Sequence, residues 1–372
     1  MAQQKEQNRA WKAEIKKLRS DKKLLKTEIT KLRANADALI GVSEPSITAQ
    51  LRLRHAPPVH EPMLLISQVQ RSGGTLLAQL FDGHPECLAH PYELKWGRPL
   101  KWDWPEIDLE QDVDTTFSSL QQKWLVEFAR QGFYQKQVQG RAQQEIQYKH
   151  PFLFDLALQK TIFTEQVKHA SHQRDVLDAY LTSFFDAWLD YQGAYGGTKR
   201  YVVAFTPRVH MEGQSLARFF GHYPDGVLLS VIRDPAAWYA SAMKHRFAHD
   251  RADFDSLLDL WRRSTESTLD AKHRYGDHVQ LVVFEELLTR PEATTLRICR
   301  GVGLEWDPCM LRPTFNNMEI LSDSSFVPAR GIDDAAAQRY MEVQPETTIE
   351  TIRSTCGDLY SGAVAAVHAC SR

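Results

Sequence analysis

Apolar residues fall along this chain in three rhythms, and each predicts a different kind of element. Near the N-terminus Trp11, Leu18, Leu25, Leu32 and Leu39 recur every seven residues, with Ile15, Lys22, Ile29 and Ala36 four places after each of the first four. This 4-3 alternation is the seam of a coiled coil and predicts a self-associating helix over residues 1–40. No Pro or Gly interrupts it before Gly41, and Lys22 on the seam sets register at some cost in strength. Two alternatives stand beside it. One is a helix docked on the rest of the chain, which favours a wider stripe; the other is a basic tail for a polyanion or membrane surface. The second rhythm is continuous: Met63 to Val69, Tyr201 to Phe205, Val227 to Ile232 and Val279 to Phe284 are short apolar runs. Such runs predict strands buried on both faces of a parallel sheet. The third is helical spacing, as in Leu76, Leu77, Leu80 and Phe81, in Val176 to Tyr191, in Ala236 to His245 and in Ala293 to Gly301. Pro45, Pro57 and Pro58 mark residues 41–61 as a linker. The order of elements predicts a three-layer α/β domain with a central parallel sheet over residues 62–372, with residues 95–199 as a largely helical insertion.

Composition narrows the class without changing this outline. The chain has 372 residues, 43% of them apolar, which fits ordinary globular domains and excludes disordered or fibrous ones. No apolar run approaches the ~18 residues of a membrane span, and Met1 to Ala10 lacks the apolar stretch of a secretory signal. Five cysteines, odd in number and without CxxC spacing, fit neither a disulfide framework nor a zinc cluster. The expectation is a cytoplasmic protein. Its net charge of −2 conceals an asymmetry: residues 1–39 carry 11 Lys+Arg against 5 Asp+Glu, and the rest carries 34 against 42. The coiled-coil reading accounts for the basic segment without a nucleic-acid partner.

The chemistry begins after the first strand. Gln70, Arg71, Ser72, Gly73, Gly74 and Thr75 separate it from a helix that opens with Leu76 and Leu77. Two glycines let the backbone approach a ligand, and successive N–H groups form an anion cradle. Arg71 adds a permanently charged planar fork that matches phosphate geometry, and Ser72 and Thr75 add hydroxyl donors. A Walker A loop requires GxxxxGK[ST], and a dinucleotide fingerprint requires GxGxxG; neither is present. A plain tight turn with one surface arginine is the bland reading of this segment taken alone. With the following Leu80, Asp82, Gly83, His84, Pro85 and Glu86, the segment resembles the 5'-phosphosulfate loop of the sulfotransferases that use 3'-phosphoadenosine 5'-phosphosulfate (PAPS). It is most similar to the Golgi-type and bacterial branch, whose loop reads RSGTT. Gly74 stands where that branch carries a Thr.

Two further segments extend the resemblance. After the strand Gly226 to Ile232 come Arg233, Asp234 and Pro235, with Ser241 farther on, similar to the family's RDPxxxxxS pattern. The resemblance implies that Arg233 and Ser241 hold the donor's 3'-phosphate, while Arg71, Ser72, Gly73, Gly74, Thr75 and Leu76 hold its 5' end. The stretch from Val279 through Glu285-Glu286-Leu287 to Trp306 resembles a third family segment of structural role, with Phe284 in place of a common core Tyr. Thr206-Pro207-Arg208 fits a KxPR-type strand end, except that Phe205 stands where a basic residue is common. Arg208 and Lys95 are the alternatives for charge stabilisation there.

The resemblance implies a P-loop-like fold and transfer of a sulfuryl group from PAPS to an acceptor hydroxyl, leaving 3'-phosphoadenosine 5'-phosphate (PAP), without a metal. Glu93 is the first candidate for general base, by its separation from Arg71, and His90 is the second. The bland alternative for Glu93 is an ion pair with Lys95. Trp96, Trp102 and Trp104 suit either sugar stacking or a buried cluster. A carbohydrate or small metabolite is the expected acceptor, and a homo-oligomer the expected assembly. Within Ser322 to Gly331, the family's basic C-terminal loop makes Arg330 and Gly331 candidates for the 3'-phosphate, against an ordinary surface loop. The rival functions are a nucleotide-dependent P-loop kinase, which lacks its Walker Lys here, and a coiled-coil scaffold with a vestigial donor site.

Overall fold

Where the chain is most continuously apolar, the structure has strands. In chain order these are β1 (Met63–Ile66), β2 (Cys87–Glu93), the short pair β3 (Phe133–Tyr134) and β4 (Lys149–His150), β5 (Tyr201–Phe205), β6 (Val227–Ile232), β7 (Val279–Val283), and the short pair β8 (Thr314–Phe315) and β9 (Met318–Glu319). This computed structural model describes residues 47–55, 57–96, 100, 102–134, 149–194, 197–244, 253–321 and 330–369, together with Glu14, Lys17, Asp21 and Thr27. Those four isolated positions are helical and exposed, and none is on the predicted seam; the seam itself lies outside the described residues.

Five strands form one parallel sheet in the order β2-β5-β1-β6-β7. Successive side chains feed two different cores. Met63 and Leu65 face one that includes Phe184, Trp188 and Phe219. Leu64 and Ile66 face another that includes Leu77, Leu80 and Ile298. Both faces are covered, so the strands read as unbroken apolar runs rather than alternating ones. The chain enters at β1 in the middle of the sheet, crosses through the helix Gly74–Leu80 to β2 at the edge, returns to β5, and then continues on the other side of β1. That reversal beside β1 is a switch point of the kind at which open α/β sheets bind ligands, outside the C-terminal ends of the strands. The strand predicted from Met63 to Val69 stops at Ile66, and Phe284 starts the helix Phe284–Thr289 instead of ending β7.

Between β2 and β5 lie helices at Val113–Leu120, Lys123–Gln131, Leu156–Val167 and Gln173–Ala187. Residues 41–61, read as a linker, contain the helix Ile47–His55. Its Arg52 docks it: Nη2 donates to the Leu189 carbonyl at 3.3 Å, and Nη1 lies 3.9 Å from Asp186 Oδ1. Asp186 is buried, and its Oδ2 has no hydrogen-bond partner among the described residues. Burial pushes its carboxyl up to about 7, with Arg52 opposing. In the unfolded chain an aspartate loses its proton near pH ~4. Between these values the folded chain holds a proton that the unfolded chain has released, so this group's contribution to stability falls as pH rises through the window. Asp186→Asn is therefore expected to raise the unfolding temperature at pH 8 and to leave it nearly unchanged at pH 4. An equal shift at both, followed by circular dichroism, would contradict this.

Candidate functional site

The loop after β1 is held open by its backbone conformation. Arg71 and Gly73 both have positive φ, 69° and 97°. At Gly73 any side chain is strained, and a Cβ there would also lie 2.1 Å from the Phe284 ring. A Cβ at Gly74 would lie 1.8 Å from the Gln68 side-chain nitrogen and 2.6 Å from the Phe205 ring. Gln68 and Phe205 thus occupy the space that a side chain at position 74 would need. Ser72 is buried, while Thr75 and Leu76 are half-buried on the first turn of the following helix.

Two segments more than 150 residues apart meet at this loop. Arg71 Nε donates to Ser241 Oγ at 3.4 Å, and Arg233 Nη1 donates to the Arg71 carbonyl. Trp238, on the same helix as Ser241 (Pro235–Met243), donates its indole N–H to the Gln70 carbonyl at 2.8 Å and fixes the helix to the loop. That helix starts cleanly because Asp234 accepts from the Ala237 N–H and Pro235 occupies its first turn. Arg233 is 8% exposed, stacks its guanidinium 4.6 Å above the Phe284 ring, and has an Nε with no partner among the described residues. Burial pulls its pKa down to about 10, Glu285 opposes this, and nearby Arg71 adds to it. Arg71 and Arg233 thus set two like charges side by side at the loop, which disfavours the charged form of Arg233. Glu285 is itself held by the Asp234 N–H at 3.1 Å and the Tyr360 hydroxyl at 3.1 Å.

The candidate base sits two strands over, across β5. Glu93 ends β2, opposite Phe205 of β5, and Phe205 is paired with Ile66 of β1. This register brings Glu93, Phe205 and the Gln68–Gly74 contact to one end of three adjacent strands. Glu93 Oε2 is 3.2 Å from Lys95 Nζ, so the ion pair weighed from the sequence is present. His90 lies elsewhere on the same strand. Its ring packs against Trp124 and Phe184, and its Nδ1 is 2.7 Å from the Tyr92 carbonyl. Burial lowers its pKa to about 4. Its Nε2 has no partner among the described residues.

Arg208, with φ 70°, donates Nε to Gln70 Oε1 and lies 5.0 Å over the Trp102 ring. Trp96 and Trp104 are buried core residues, 5.7 Å apart edge to face, so they present no ring to an acceptor. Arg330 is exposed and bridges to Leu321, and Gly331 has φ 71°; no contact of either with the loop is described, and residues 322–329 lie outside the described residues. Asp82 and His84 of the LFDGHPE stretch are structural. Asp82 accepts from the Thr314 hydroxyl at 2.6 Å and the Asn317 N–H at 2.8 Å, and His84 Nε2 is 3.0 Å from the Glu305 carbonyl. Gln68 and Trp238 carried no signal of their own in the sequence. Phe284, read only as a core aromatic, is the floor beneath both Gly73 and Arg233. Among the described residues no cluster of His, Cys, Asp and Glu is arranged to hold a metal.

A central parallel sheet with a glycine-arginine loop at its reversal point, faced by a second buried arginine, defines a P-loop-like α/β protein. The chain belongs to the sulfotransferase family, whose model matches residues 62–308. Among solved structures it is similar to the sulfotransferase domain from the curacin biosynthetic pathway, at 16% identity over 80% of this chain and 98% of that one, TM-score 0.45. It is also similar to the sulfotransferase domain of the Synechococcus PCC 7002 olefin synthase, at 17% identity over 81% and 97%, TM-score 0.42. A third is a sulfotransferase from Alicyclobacillus acidocaldarius, at 14% identity over 84% and 96%, TM-score 0.41. No curated protein sequence matches the chain.

Proposed function

We propose that this sulfotransferase moves the sulfuryl group of PAPS to an acceptor hydroxyl, on a carbohydrate or small metabolite, with Glu93 as general base. One observation carries the reading: Arg71 of the glycine loop, Arg233 and Ser241 form a single connected cluster, although they come from two distant segments. Arg71 and the loop amides suit the 5'-phosphosulfate; Arg233, with its unpartnered Nε, and Ser241 suit the 3'-phosphate. The acceptor oxygen forms a bond to sulfur as the bond from sulfur to the 5'-phosphate oxygen breaks. PAP leaves with the electron pair, and Glu93 takes the acceptor's proton. Catalysis then rests on in-line placement and charge stabilisation, the latter from Arg71 and, through Gln70, the loop held by Arg208. Lys95 keeps Glu93 aimed rather than consuming it. The RSGGT loop followed by the HPE turn favours the Golgi-type and bacterial branch.

The test is transfer of labelled sulfate from PAPS to a panel of hydroxyl compounds with EDTA present. Labelled product supports the reading, whereas phosphoryl transfer from ATP on restoring Mg²⁺ would favour the kinase. Residues 1–40 we propose to be the oligomerising coiled coil of a cytoplasmic enzyme. Among the described residues, no helix is long and apolar enough to cross a membrane. Deleting residues 1–40 is expected to lower the sedimentation mass to that of a single chain and to leave PAP binding unchanged; an unchanged oligomer would contradict the assignment.

A further inference from the structure

Gln68 has no place in the donor site outlined so far, yet its side chain is at the centre of it. It is 1% exposed, and neither its side-chain oxygen nor its nitrogen has a hydrogen-bond partner among the described residues. Buried amides are seldom left with both ends unpaired, because the water they gave up is not replaced. Its backbone is pinned at the end of β1, where its carbonyl accepts from the Arg208 N–H at 3.1 Å. Its amide fills the space over Gly74 that any other residue there would occupy. The Phe205 ring borders the same space, and Phe205 is paired in register with Glu93. Gln68 therefore touches the loop that would hold the donor's phosphate beside Phe205, whose backbone is in register with the strand end that carries the base. In a transfer from one to the other, this neighbourhood belongs to the group in flight.

We propose that the Gln68 amide binds the sulfuryl group of the donor, as a neutral hydrogen-bond donor in a position that Gly74 and Phe205 leave to it. This rests on the sulfotransferase reading. The side chain at 205 is apolar and cannot supply charge, and residue 74 has no hydroxyl. A side-chain amide packed between them orients sulfuryl oxygens without tightening the grip on the product, because PAP has no sulfuryl group. Gln68 thereby discriminates PAPS from PAP, which favours release of the spent donor.

The experiment compares calorimetric binding of PAPS and of PAP to the full chain and to Gln68→Met, which keeps the length of the side chain and removes its polar atoms. The proposal predicts PAPS binding weakened by about tenfold or more, with PAP binding within about twofold of wild type. Because Met leaves no unpaired polar atom, the variant is expected to unfold at or above the wild-type temperature. Gln68→Leu is the second variant: it likewise removes the amide and leaves the loop untouched, and the same selective loss is expected. Unchanged PAPS binding, or equal loss of PAPS and PAP in a folded variant, would overturn the assignment of Gln68. Failure of the wild-type chain to bind either nucleotide would instead overturn the sulfotransferase reading on which it rests.

Discussion

Replacing Glu93 with glutamine is expected to leave PAP binding within about twofold of wild type and to lower turnover by roughly 10²–10⁴-fold, the usual worth of a positioned general base. The two effects separate because Glu93 ends β2, while the proposed phosphate ligands come from the loop after β1 and from the helix after β6. Glutamine keeps the shape and accepts a hydrogen bond but cannot take a proton. Its partner Lys95, half-exposed and 3.2 Å away in the native pair, is left with solvent as an alternative. The fold should therefore be unaffected. Unchanged turnover would end the role of Glu93 and send the search to His90. That residue has a weaker case: burial among Trp124 and Phe184 holds it neutral, but the same rings stand between it and water. The Lys95 contact provides a second readout. Lys95→Met should lower turnover less than Glu93→Gln does, because it frees the carboxylate without removing it.

Arg71→Ala has the larger effect on binding. Removing one charged partner of a desolvated phosphate contact costs roughly 2–5 kcal/mol, or about 30-fold to several thousand-fold in affinity. The loop itself should survive, because Arg71 anchors it through its carbonyl, which receives Arg233 Nη1, and that bond is independent of the side chain. Trp238 continues to hold the Gln70 carbonyl. The loss of a like charge also eases the burial of Arg233, whose charged form Arg71 disfavours. Isothermal titration with PAP, alongside a thermal unfolding curve, separates lost affinity from lost structure. Arg71→Lys restores the charge but not the planar fork, so it should recover only part of the binding. Binding equal to wild type in Arg71→Ala would exclude the arginine from the donor site.

These residues differ in how openly the sequence announces them. β5 and β6 coincide with the runs Tyr201 to Phe205 and Val227 to Ile232, because strands buried on both faces leave no polar residue to blur their ends. Arg71, Arg233 and Ser241 each lie in a short motif visible in the sequence, and the fold brings the three into contact. β2 was not visible there, because CLAHPYE carries a proline and polar residues; this is tolerated at the sheet edge, where Pro91 falls in the register shift between Ala89 and Glu93. The helix Ile47–His55 was hidden among flanking prolines, and its docking depends on Asp186, over 130 residues away. Gly74 shows the deeper reason. In the sequence it is a departure from a pattern, with one hydroxyl lost. In the structure it is one third of a contact with Gln68 and Phe205, a relation that exists only once β1 and β5 are aligned. Phe284 belongs to the same class: its ring meets Gly73 and Arg233 through folding alone. Local chemistry was readable, and the complementarity that tunes it was not.

Arg233 and Ser241, joined to the Arg71 loop, are proposed to read a 3'-phosphate. Calorimetric titration of the full chain with PAP, against AMP and ATP and with EDTA present, tests this role most directly. The account predicts tight binding of PAP that AMP, which lacks only the 3'-phosphate, cannot match. Equal binding of AMP and PAP, or binding of ATP alone once Mg²⁺ is restored, would contradict it.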